Sequence, residues 1–119
     1  MTFWVASWLR AFGLTLLFEI PPATWMLAPV EPLVARRIAG VIVANLATHP
    51  LVWFLFPGLA VGPGARLAAS EAWAFAAEVA VYLIIWPALR PRRAALISLV
   101  ANAASAGAGL LLARTLTAR

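Results

Sequence analysis

Val41-Ile42-Val43-Ala44-Asn45-Leu46-Ala47-Thr48-His49 is an apolar run that abruptly carries an amide, a hydroxyl and an imidazole. A near copy follows at Leu99-Val100-Ala101-Asn102-Ala103-Ala104-Ser105. In both, Ala-Asn-x-Ala is followed by a small hydroxyl residue three positions after the Asn. A Glu precedes each Asn at a similar distance: Glu19 lies 26 residues before Asn45, and Glu78 lies 24 before Asn102. An arginine pair stands between them each time, Arg36-Arg37 and Arg92-Arg93. The pattern reads as a tandem repeat of one helical hairpin, each copy holding one buried acid and one buried amide.

The flanking sequence says where such hairpins would live. The 119 residues have room for one domain. They are 65% hydrophobic with a mean hydropathy of +0.96, against roughly 45–50% apolar residues in soluble domains. Four apolar segments, near 8–28, 37–57, 68–88 and 94–113, each reach the roughly 20 residues that a helix needs to cross a bilayer. The expected fold is an all-α integral membrane protein: a bundle of four transmembrane helices built as two hairpins, 1–57 and 68–119, joined by a loop at 58–67. The first segment does not read as a cleaved signal, because no basic region precedes it and it continues through Glu19 and two prolines.

Charge comes only from nine arginines and four glutamates, giving a net +5. Nucleic-acid binding needs a solvated basic face with aromatics free to stack. Here the arginines flank apolar runs instead, so the lipid bilayer is the expected partner and nucleic acid is not. Five arginines (Arg36, Arg37, Arg90, Arg92, Arg93) fall on the side of the two hairpin turns. The more scattered Arg10, Arg66, Arg114 and Arg119 fall on the other. The clustering favours both termini outside; the expected location is a prokaryotic inner or plasma membrane. Trp4, Trp8, Trp53 and Trp73 would form an aromatic belt at one interface, Trp25 and Trp86 at the other.

Within the segments, Pro21-Pro22 predicts a kink or break just after Glu19, since two backbone donors are lost. Pro50 disfavours helical backbone at His49 and predicts a bend there. Thr15 and Glu19 share a face, as do Asn45, Thr48 and His49. Glu71, Glu78 and Tyr82 fall on one stripe. Ser98, Asn102, Ser105 and Gly109 form a polar stripe on the last helix, and Ala101, Ser105 and Gly109 a small-residue packing stripe.

Zero cysteines exclude disulfides and thiolate chemistry. No nucleophile elbow, zinc-protease motif or phosphate loop is present, and the expected class is not an enzyme. What the sequence emphasises is burial. Glu19, Asn45, Glu78 and Asn102 fall near mid-segment, and an ionised acid at the bilayer centre costs about 2.5–3.5 kcal/mol on insertion scales. With no arginine at that depth, the acids are held neutral, share a proton or bind a cation. The expected ion or substrate site is Glu19, Asn45, Thr48, His49, Glu78, Asn102 and Ser105, with Glu19, His49 and Glu78 as candidates for a metal. Carboxylate, amide and hydroxyl oxygens suit hard cations; His49 adds a preference for softer ones.

Transport of a cation, proton or small solute is the leading expectation, by a homo-oligomer, since so small a chain needs partners to enclose a path. The alternative is a non-catalytic accessory subunit of a larger membrane complex, with the same residues as interhelical glue. A weaker third reading, a pigment- or haem-binding subunit, rests on His49 and the six tryptophans; the residues name no cofactor.

Overall fold

The computed structural model describes residues 2–118. Four long helices account for nearly all of them: α1 (Phe3–Leu27), α2 (Val34–Pro50), α3 (Pro63–Ile85) and α4 (Pro91–Thr117). No strand occurs among the described residues. With its short continuation to Gly58, α2 matches the other three in being long and apolar enough to cross a membrane. Each helix packs on its two neighbours in chain order, with α4 returning to α1, so the bundle is a closed ring of four. Its 42 × 33 × 28 Å dimensions bring the long axis to about the 40–45 Å thickness of a bilayer with its headgroups.

The helices begin earlier than hydropathy suggests. Proline at the first helical position starts α3 at Pro63 and α4 at Pro91, where the missing N–H is needed by no carbonyl. The connection between the second and third helices therefore shrinks from 58–67 to the few residues before Pro63. The expected break at Pro21-Pro22 does not occur: α1 runs unbroken from Phe3 to Leu27. Its last carbonyls are met by arginines from other helices. Arg37 donates to Thr24 O (3.1 Å), and Arg93 donates to Met26 O through Nε (3.0 Å) and Nη2 (2.8 Å). These bonds satisfy part of the helix end that otherwise faces the interface unpaired.

Pro50 acts differently from the bend expected at His49. His49 stays helical, and the chain widens after the proline into one π turn, Leu51–Leu55, then a 3₁₀ turn, Phe56–Gly58. The missing N–H at Pro50 removes one rung of the ladder, and the wider turn takes up the misfit.

The apolar core occupies only the half of the bundle near the hairpin turns. Ala23, Met26, Leu27, Val41, Tyr82, Trp86, Leu89, Ala94 and Ile97 are all buried there. Trp86 is only 6% exposed, so it is a core residue and not part of an interfacial belt. The outer edge of its indole abuts Gly40, where any Cβ would overlap Cη2, Cζ3 and Cζ2. Trp4 and Trp25 do face outward, at 69% and 79% exposed.

Candidate functional site

Two carboxyls hold the polar centre together. Glu19, on α1, accepts from Asn45 Nδ2 on α2 at Oε2 (2.8 Å) and from Ser105 Oγ on α4 at Oε1 (2.9 Å). Glu78, on α3, accepts at Oε2 from Ser98 Oγ (2.8 Å) and Asn102 Nδ2 (2.7 Å), both on α4. Both acids are 1% exposed. They lie eight and seven residues before the turn ends of their helices, Leu27 and Ile85. At 1.5 Å per residue that is a depth of about 10–12 Å from the helix end.

Each amide is fixed by its own helix as well. Asn45 Nδ2 also donates to Val41 O (3.1 Å), and Asn102 Nδ2 to Ser98 O (2.9 Å), the carbonyl four residues back in both cases. Thr48 Oγ1 donates to Asn45 O (3.2 Å), and the single proton of Ser105 Oγ is shared between Glu19 Oε1 and Asn102 O (3.1 Å). These local bonds anchor the side chains, so the amide N–H groups are aimed before the acids meet them.

A cavity of about 190 Å³ sits over this layer. Glu19, Asn45, Thr48, His49, Glu78, Asn102 and Ser105 all line it, joined by Thr15, Ser70 and Glu71. Every residue it adds beyond the acids lies towards the chain termini, and Glu71 is exposed. The cavity therefore opens at the terminal face and stops at the carboxyls. Below them, towards the turns, comes the close-packed apolar core. Tyr82, one turn past Glu78, is fully buried there, and its hydroxyl has no hydrogen-bond partner among the described residues.

His49 stands in the cavity wall inside an aromatic cluster. Trp8 Nε1 donates to His49 Nδ1 (3.0 Å), and Thr15 Oγ1 lies 3.4 Å from Nε2. Trp53 stacks on the imidazole with ring centroids 6.2 Å apart, and Phe12 meets it edge-on at 5.4 Å. Trp8 and Trp53 thus turn inward to the histidine, away from the belt expected of them. An indole N–H can only donate, so Nδ1 is the acceptor and neutral His49 carries its proton on Nε2. With both nitrogens facing protein partners, an axial bond to haem iron would require one of these contacts to break.

Among the described residues, no three His, Asp or Glu side chains gather closely enough to share a metal ion. Glu19, His49 and Glu78 line one cavity without forming such a cluster. Of the small-residue stripe on α4, Ala101 is buried and Ser105 bonds Glu19, whereas Gly109 is exposed with no atom of a neighbour within 4 Å of a Cβ built there.

Three residues of the network fall outside the set picked from sequence spacing: Ser98, Thr15 and Trp8. Ser98 is one turn before Asn102 on the same stripe, a signal that pointed to it. Nothing local marked Trp8. No family model, curated protein or solved structure matches this chain.

Proposed function

We propose that the chain is a small membrane transporter of protons or a cation, with Glu19 and Glu78 as its working groups. What supports this reading is that two central carboxyls meet one polar cavity, open at the terminal face and stopped by an apolar core beyond them. Among the described residues no arginine lines the cavity, so an anion would face the carboxyls with no fixed positive charge to answer it. Asn45, Asn102, Thr48 and Ser105 orient the acids; His49 and Glu71 lie on the way in. Passage requires the turn half to open, and the unpartnered hydroxyl of Tyr82 is the next polar group on that route. With the termini outside, the cavity faces the exterior, and the working unit is a homo-oligomer. Catalysis forms no part of this proposal.

The reading includes an internal duplication, hairpin 1–57 being repeated in 68–119. Its support is a matched set of bonds: Asn45 to Glu19 and Val41 O, Thr48 to Asn45 O; Asn102 to Glu78 and Ser98 O, Ser105 to Asn102 O. Two hairpins in the same orientation are related by an axis along the membrane normal, which would place both acids beside one central path.

One observation favours a second reading, an accessory subunit of a membrane complex. Both acids already have partners inside the chain, as groups serving only as glue would. Proton flux in vesicles separates the two. Purified protein reconstituted with a trapped pH-sensitive dye should acidify the lumen under an imposed gradient, with or without an added alkali cation. Glu19→Gln and Glu78→Gln, which keep shape but not ionisation, should each abolish the flux while folding normally. Wild-type vesicles no leakier than empty ones under every cation tried would leave the accessory reading standing.

A further inference from the structure

Towards the turn end of the bundle, away from the terminal mouth of the acid cavity, α2 and the end of α3 flank a groove of about 300 Å³. Its floor and walls are apolar: Ala39, Gly40 and Val43 from α2, Ile85 at the end of α3 and Trp86 just after it. Two opposite charges, Glu31 and Arg36, stand at its upper end. Glu31 precedes α2, and Arg36 lies in its first turn, so the charges sit at headgroup level. Val43 is seven residues further down the helix, roughly 10 Å towards the bilayer centre.

The two charges do not neutralise each other. Glu31 Oε1 accepts from the backbone N–H of Leu33 (3.0 Å), and Oε2 from Trp86 Nε1 (3.3 Å). That leaves each carboxylate oxygen a further lone pair. The Leu33 N–H chiefly, with Trp86 and the nearby Arg36 and Arg37, holds this carboxyl below its ordinary range, so it is an anion at neutral pH. Arg37, Arg66 and Arg93 donate to carbonyl oxygens. Among the described residues Arg36 has no such partner, and its side chain is exposed.

We infer that this groove is a binding site for a phospholipid whose headgroup carries a primary ammonium, phosphatidylethanolamine, with its phosphate on Arg36, its ammonium on Glu31 and an acyl chain along Gly40 and Trp86. An anionic lipid without an amine would place its phosphate near an unanswered carboxylate. A choline headgroup has the positive charge but no N–H to donate, so it cannot fill the remaining lone pairs of Glu31. Gly40 matters because only a residue without a Cβ leaves room for the edge of the Trp86 indole in the groove. The indole in turn holds Glu31 in place through its N–H.

The full chain, purified and stripped of lipid, provides the test. Its thermal unfolding is followed during titration with phosphatidylethanolamine, phosphatidylcholine and phosphatidylglycerol of identical acyl chains, and with soluble phosphoethanolamine. The ethanolamine lipid should half-saturate the stabilisation at a concentration about tenfold below the choline lipid, the effect of one charge-assisted hydrogen-bond set. Glu31→Gln should make the ethanolamine and choline lipids equal. Arg36→Gln, an exposed change that leaves the fold alone, should weaken both by a similar factor. Equal titrations of the two lipids on the wild type would overturn the assignment, as would a tenfold preference that survives Glu31→Gln. Saturation by phosphoethanolamine as readily as by the lipid would overturn it too, by making the ligand a soluble headgroup.

Discussion

Replacing Glu78 by leucine removes the acceptor that ties α3 to α4 at the buried centre. Two bonds are lost, from Ser98 Oγ and Asn102 Nδ2. Interhelical hydrogen bonds inside membranes average about 0.6 kcal/mol, so the pair contributes roughly 1.2 kcal/mol. Asn102 is not left stranded, because its Nδ2 keeps Ser98 O at 2.9 Å and Ser98 Oγ at 3.2 Å. Ser98, fully buried, loses its acceptor. An unsatisfied buried hydroxyl costs about 1–3 kcal/mol in place of the share counted for its bond, so the total is about 1.6–3.6 kcal/mol. Glutamine retains an acceptor oxygen at the same reach and should cost less than about 1 kcal/mol. Reversible unfolding in mixed micelles of rising denaturing-detergent content measures both. A leucine variant within about 0.5 kcal/mol of wild type would mean that the network contributes nothing to the fold.

Other outcomes follow from neighbouring contacts. Gly40→Ala should destabilise by about 1–3 kcal/mol through overlap with Trp86, whereas Gly13→Ala, which meets open space, should be neutral or gain up to about 1 kcal/mol. Unfolding of the two variants side by side checks this. Nitrogen NMR of labelled His49 should show the Nε2–H form, with Nδ1 as acceptor, and Trp8→Phe should move the Nδ1 resonance towards that of an imidazole nitrogen with no donor on it. For Glu31 the folded carboxyl titrates below the unfolded value of 4.5, so its stabilisation is complete above that value and disappears as pH falls through the folded one. The stability difference between wild type and Glu31→Gln should accordingly shrink on acidification; a difference that grows would contradict the assignment.

Much of the bundle is visible in the sequence for a physical reason. In an apolar run a single Glu or Asn has no solvent to face, so Glu19, Asn45, Glu78 and Asn102 announce an interior layer by position alone. Spacing could not say that Ser105 would reach across to the acid of the other hairpin, since hairpin-to-hairpin packing has no local signature. Tryptophan misled for a related reason. An indole suits both an interface and a buried donor, and Trp86 and Trp8 found acceptors in Glu31 and His49. Hydropathy missed the helix starts because Gly64 and Ala65 carry no strong signal, while Pro63 is a start marker. Pro21-Pro22 and Pro50 were legible as disturbances, but whether a proline breaks, widens or merely rides in a helix is decided by the groups around it.

A transport role requires Glu19 and Glu78 to be ionisable groups reached from the terminal face through the polar cavity. Infrared difference spectra of the protein in lipid, recorded while pH is stepped on wild type, Glu19→Gln and Glu78→Gln, test it most directly. Carboxyl bands should change with pH in the wild type, with one component missing in each variant and prompt hydrogen–deuterium shifts showing water at both groups. Wild-type spectra whose pH-dependent carboxyl bands all survive in both variants would contradict that role.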